Sequence, residues 1–121
     1  MPCSTSPANR PKASASFRDG AGPSTAALAT FITKHKDRFG VELNDADSQV
    51  VGTLFEDTVH RRRYCGDGVF DLTGMITALH TAGWDGPWGV EILSVEHRSL
   101  PVYEALSRAA ASARRALERA R

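Results

Sequence analysis

The chain has 121 residues, 41% of them hydrophobic and 24% charged, with a formal net charge of +1. This is the composition of an ordinary soluble protein with room for one domain. The near-neutral balance gives no electrostatic case for nucleic acid or an anionic membrane surface. No run approaches the ~18 apolar residues that span a bilayer, and the N-terminus lacks the apolar core of a signal peptide. The two cysteines, Cys3 and Cys65, form no C-x-x-C and no disulfide-rich pattern, which points to a reducing, cytoplasmic setting.

Residues 1–23 are rich in Pro, Ser, Ala and Gly and hold a single aromatic, Phe17. Such a segment buries too little apolar surface to offset chain entropy and is expected to be a disordered leader. Its Arg/Ser content also fits a transit peptide, although a permissive extension is the preferred reading. Ser24 or Thr25 is a plausible N-cap for a helix over residues 25–36, with Ala27, Leu28, Phe31 and Ile32 at helical spacing and basic residues in the last turn. Residues 39–43 read as a short strand whose alternation places Val41 and Leu43 on one face and Glu42 on the other.

Residues 44–68 are polar and irregular, with at most a helical turn or short hairpin around Val50, Val51, Leu54 and Phe55. Asp71 then caps a helix carrying Leu72, Met75, Ile76 and Leu79 at i, i+3, i+4 and i+7, with Gly83 just past its end. Residues 88–93 form a β-rich apolar run interrupted by Glu91, as suits a strand buried on both faces. Pro101 opens a last helix with Val102, Leu106, Ala109/Ala110, Ala113 and Leu117 as its apolar stripe. Two strands alternating with three helices predict an α/β fold with a parallel sheet. Two strands alone would leave both outer edges unpaired.

Glu91 is the strongest candidate for chemistry. A carboxylate inside an apolar strand is costly unless a metal or base compensates it, and strand C-terminal ends carry the active-site residues of (β/α)-barrels. The alternative is a solvated strand end. Glu42, Asn44, Asp45 and Asp47 offer the oxygen donors that hard divalent cations prefer, although N-D-A-D also suits a self-capping turn. His60-Arg61-Arg62-Arg63 followed by Gly66-Asp67-Gly68 combines guanidinium forks with glycine-exposed amides, suited to a phosphate or polyhydroxylated ligand or to a plain solvated loop. Cys65 reads as an inert thiol, although nearby arginines could lower its pKa. Trp84 and Trp88 read as packing residues around a turn.

Three segments resemble the xylose-isomerase-like barrels, a superfamily of sugar phosphate isomerases/epimerases. Val41-Glu42-Leu43-Asn44-Asp45 looks like the seventh barrel strand. Residues 56–68 look like the loop ending in a P-G-E-G-type turn, and residues 71–91 match the family's D-L-x-G-x-x-x-A-L-x-x-x-G-[YW]-D-G-P-x-x-V-E ending. The resemblance covers residues 24–118 and implies the C-terminal part of a (β/α)8 TIM barrel. It implies a sugar or sugar phosphate as the small-molecule partner and a divalent metal (Mn²⁺, Mg²⁺, Co²⁺ or Zn²⁺) as cofactor. Glu91 matches the last-strand metal ligand and half of the acid/base pair. Glu42 falls where many relatives place a metal-binding His. Arg62 aligns with the substrate-contacting Arg, with Arg61 and Arg63 within a one-residue slip. Neither nucleic acid nor membrane is expected as a partner. The chain alone is expected to be inactive, because two strands cannot close round a metal. Other readings are a non-catalytic remnant or module that self-associates through its open strand edges and, more remotely, a sugar-acid dehydratase or other lyase on the same barrel.

Overall fold

The computed structural model describes residues 25–38 and 40–121; the leader expected over residues 1–23 lies outside them, as does Phe39. In chain order the elements are α1 (Thr25–His35), β1 (Val41–Leu43), α2 (Leu54–His60), α3 (Leu72–Thr81), β2 (Trp88–Val90), α4 (Val95–Ser99) and α5 (Val102–Arg119). β1 and β2 pair in parallel with Val41 opposite Trp88, Glu42 opposite Gly89 and Leu43 opposite Val90. The chain is thus α/β, with a short parallel pair joined through a long crossover that holds α2 and α3. The described residues form five helices where the sequence predicted three. The additions are α2, in the segment expected to be irregular, and the five-residue α4.

Period and caps explain the elements. Asp71 accepts a hydrogen bond from Gly74 N–H at 2.9 Å to start α3, and Gly83, at φ 87°, ends it in a left-handed conformation that a side chain would strain. Leu72, Ile76 and Leu79 are buried along one face. α2 is fixed by a capping box: Thr53 Oγ1 accepts from Glu56 N–H, while Glu56 Oε2 accepts from Thr53 N–H at 2.8 Å. That reciprocal pair turns a polar stretch with no apolar face into helix. Its large apolar residues, Leu54 and Phe55, are exposed.

The sheet packs by one face on the helices. Leu43, Cys65, Leu72, Ile76, Ala113 and Ala116 form one core cluster, with Val41, Trp88 and Val90 against it. Ile32, Leu79, Ala82 and Trp84 form a second, joined to the first through Val41, Met75 and Trp88. Burial of each large aliphatic side chain here stabilises by about 1.5–3 kcal/mol. Alternation leaves Glu42 and Gly89 on the opposite face, as the pattern of β1 predicted, and Glu42 is exposed.

The last helix departs from its predicted stripe. Ala105, Ala109, Ser112, Ala113 and Ala116 are its buried residues, whereas Val102 and Leu106 are 76% and 64% exposed. The large groups of this layer come from β1 and α3, so α5 approaches with its small residues and turns its first-turn apolar residues outward. No described helix is long and apolar enough to cross a membrane.

Candidate functional site

The C-terminal ends of β1 and β2 open into two loops, and the stretch that holds Arg61, Arg62 and Arg63 links them. Asp45 and Arg63 exchange backbone hydrogen bonds at 3.0 and 2.8 Å, and Arg62 N–H donates to Leu93 O at 2.9 Å. Antiparallel bridges join Asp45 to Arg63 and Arg61 to Ser94. The arginine segment therefore lies along the ends of both strands, which no local signal in residues 60–68 could have announced. Glu91 stands one residue beyond β2, and its N–H extends the ladder by donating to Leu43 O at 3.1 Å. It is half-buried at a strand end, between the two positions that its sequence context offered.

Glu42 sits two residues earlier on the neighbouring strand, its side chain close over Gly89: a Cβ added there would lie 3.2 Å from Glu42 Cγ. By strand spacing, the Cα atoms of Glu42 and Glu91 are roughly 8 Å apart. Alternation gives both residues the same face, away from α3 and α5.

Asp45 is 1% exposed, and its carboxylate is committed to the chain itself. Oδ1 accepts from Ala46 N–H and Phe70 N–H, each at 2.9 Å, and Oδ2 from Gly66 N–H at 3.0 Å. Charge-assisted bonds to backbone amides are among the stronger hydrogen bonds, and three of them leave this carboxylate as the anchor of the glycine turn. Gly68 shows how tight the anchor is, since a Cβ there would strike Ala46 O and Asp45 Oδ1. The Gly66 amide that the glycine turn offered to an external anion is thus occupied by an internal one.

Asp47 does the same for the guanidiniums. Arg63 grips it through two bonds, Nε to Oδ1 at 3.0 Å and Nη2 to Oδ2 at 3.1 Å, and Arg61 Nη2 adds a third at 3.1 Å. Chiefly through the Arg63 bond, the Asp47 carboxyl is held below the usual carboxylate range and the Arg63 guanidinium is pushed up. Arg61 Nη1 also lies 3.7 Å from Asp57 Oδ1; Asp57 is 2% exposed and accepts from Val51 N–H at 3.0 Å. Arg62 follows a different course, donating to Thr58 Oγ1 at 2.9 Å and lying 5.9 Å from the Phe70 ring centroid.

The structure therefore brings the two candidate clusters together as partners of one another. Among the described residues, no group of three or more His, Cys, Asp or Glu is placed to hold a metal ion. The sequence reading missed Asp57 as a buried acid, and also the Tyr64–His97 pair, joined at 2.8 Å between Oη and Nδ1. Spacing held no signal for the Tyr64–His97 pair, whose members are 33 residues apart; Asp57 meets nearby Val51 and Arg61, in a polar stretch that gave no sign of burial. Cys65 is buried, and desolvation pushes its thiol pKa up, opposite to the lowering that nearby arginines suggested. Trp84 is buried and meets Trp88 edge-on at 6.4 Å, a packing arrangement.

No family model and no curated protein sequence matches this chain. Among solved structures, it is similar to the IOLI protein, in a crystal structure described as having a binding zinc atom, with 20% sequence identity and a TM-score of 0.63. The match covers 83% of this chain and 34% of that one. The two parallel strands and their helices thus have the fold of about a third of a TIM-barrel protein, with Glu91 and the arginine segment at the strand ends.

Proposed function

We propose that this chain supplies part of the strand-end site of a divalent-metal-dependent isomerase/epimerase barrel acting on a sugar or sugar phosphate. Glu91 provides the carboxylate and Arg62 the substrate contact. The observation that carries this reading is the position of Glu91 just past β2, beside the end of β1, where (β/α)-barrels place their chemistry. The zinc described for the IOLI protein supports a metal in such a site. Carboxylate oxygens are fitting ligands for zinc or manganese.

The described residues do not make a metal site by themselves, since Asp45 is engaged by three amides and no three-ligand group is present among them. Glu42 and Glu91 are two ligands at most, and the rest of the coordination belongs to other polypeptide. No step through a metal is therefore assigned to these residues. What Glu91 contributes is a half-buried carboxylate able to take a proton from carbon next to a sugar carbonyl. Arg61 and Arg63, clamped on Asp47, hold the segment that presents Arg62.

On this reading the 121 residues alone neither bind metal tightly nor turn over sugar, because two strands enclose no pocket. Calorimetry with Mn²⁺ and Zn²⁺ and an epimerisation assay on ketose phosphates test it directly. Turnover by the purified chain would overturn the need for further strands. When the chain is combined with polypeptide carrying six further β/α units of such a barrel, activity is expected to appear. Glu91→Gln is expected to lower that activity by at least a hundredfold, and a Gln variant as active as the parent would sink the assignment of Glu91.

A further inference from the structure

The helix side of the molecule carries a second feature that the strand-end site does not use. An open groove of about 430 Å³ lies between the turn after Arg63 and α5, lined by Tyr64, Asp67, Ser107, Arg108, Ala111, Ser112 and Arg115. On α5, residues 108, 111, 112 and 115 share one face by helical spacing. Ala111 and the 1% exposed Ser112 give it a low floor, so the flanking guanidiniums stand as its walls. Arg119 continues the stripe one turn beyond Arg115, and its Nη1 lies 3.5 Å from the Cβ position of Gly66.

The charges on this face are unbalanced. Arg108 is paired with Glu104 at 3.0 Å. Among the described residues, Arg115 and Arg119 make no ion pair or side-chain hydrogen bond, and Asp67 is the one acid of those that line the groove. Two guanidiniums at i and i+4 are side-chain neighbours, and together they match the double charge and oxygen forks of a phosphate. Asp67 and Ser107 offer oxygens that suit hydroxyl groups. We propose that this groove binds a phosphate monoester of a small hydroxylated molecule, with the phosphate on Arg115 and Arg119 and the hydroxyls on Asp67 and Ser107.

The test is an NMR titration of the full chain with inorganic phosphate and with glycerol 1-phosphate, at constant ionic strength with chloride as the control. Saturable shifts confined to residues 64–67 and α5 are expected with both phosphates and not with chloride. Both arginines are exposed, so Arg115→Gln and Arg119→Gln retain the fold, as a far-ultraviolet spectrum checks. Each is expected to weaken both ligands at least tenfold. Asp67→Asn is expected to weaken glycerol 1-phosphate and leave inorganic phosphate unchanged. Shifts that do not saturate, or that chloride reproduces, overturn the site, as does binding that both Gln variants leave intact. Equal weakening of the two ligands by Asp67→Asn, or no weakening of either, overturns the hydroxyl contact.

Discussion

Asp45 and Asp47 are two residues apart, yet each serves different groups: Asp45 takes the amides of Ala46, Gly66 and Phe70, and Asp47 takes Arg61 and Arg63. Removing the Asp45 carboxylate strands buried donors, each at a cost of about 1–3 kcal/mol. Asp45→Ala is accordingly expected to lose ~3 kcal/mol or more in urea unfolding, and a loss below ~1 kcal/mol would show that water replaces the carboxylate. Asp47 gives a pH signature. Its folded pKa lies below the usual 3.8 because Arg63 favours the ionised form, so its contribution is present above that value and is lost as pH falls through the lower folded one. Between pH 5 and pH 2.5 the parent chain is expected to lose more thermal stability than Asp47→Asn; parallel melting curves for the two would refute the clamp's role.

At the level of elements, α5 separates two kinds of apolar position. Ala109 is buried and Leu106 faces outward, although the sequence stripe joined them. Ala109→Leu is expected to overpack the buried face of α5 and cost about 1–3 kcal/mol, while Leu106→Ser should stay within about 0.5 kcal/mol. Chemical denaturation of the two variants checks the assignment, and the opposite order of effects would restore the predicted stripe. The difference between the predicted and observed face has a plain cause: helical period fixes which residues share a side, but the neighbours decide which side is inside. α3 did not suffer this ambiguity, because all its large apolar residues fall on one face and its caps fix both ends.

Across the whole molecule, the sheet order is β1-β2 and nothing else among the described strands, so each strand has one outer edge without a described strand partner. Edges of this kind invite pairing with further strands. Sedimentation at micromolar concentration is expected to show self-association, and a compact monomer would count against open edges in solution. Glu42 and Glu91 occupy the sheet face turned away from α3 and α5, where further strands of a barrel would enclose them.

Periodicity, caps and glycine positions in the sequence determined α1, α3, α5 and the two parallel strands, because those signals act within a few residues of the chain. They also singled out Glu91, an acid whose apolar neighbours are visible on either side of it. α2 was legible only in part: T-x-x-E is a local signature, but no apolar period reinforced it. What the tertiary structure alone decided is whom each polar side chain serves. The acids of residues 44–47 and the arginines and glycines of residues 61–68 look, taken separately, like a cation site and an anion site. Folding sets them side by side, so that Asp45 takes the Gly66 amide and Asp47 takes Arg61 and Arg63 before any ligand arrives.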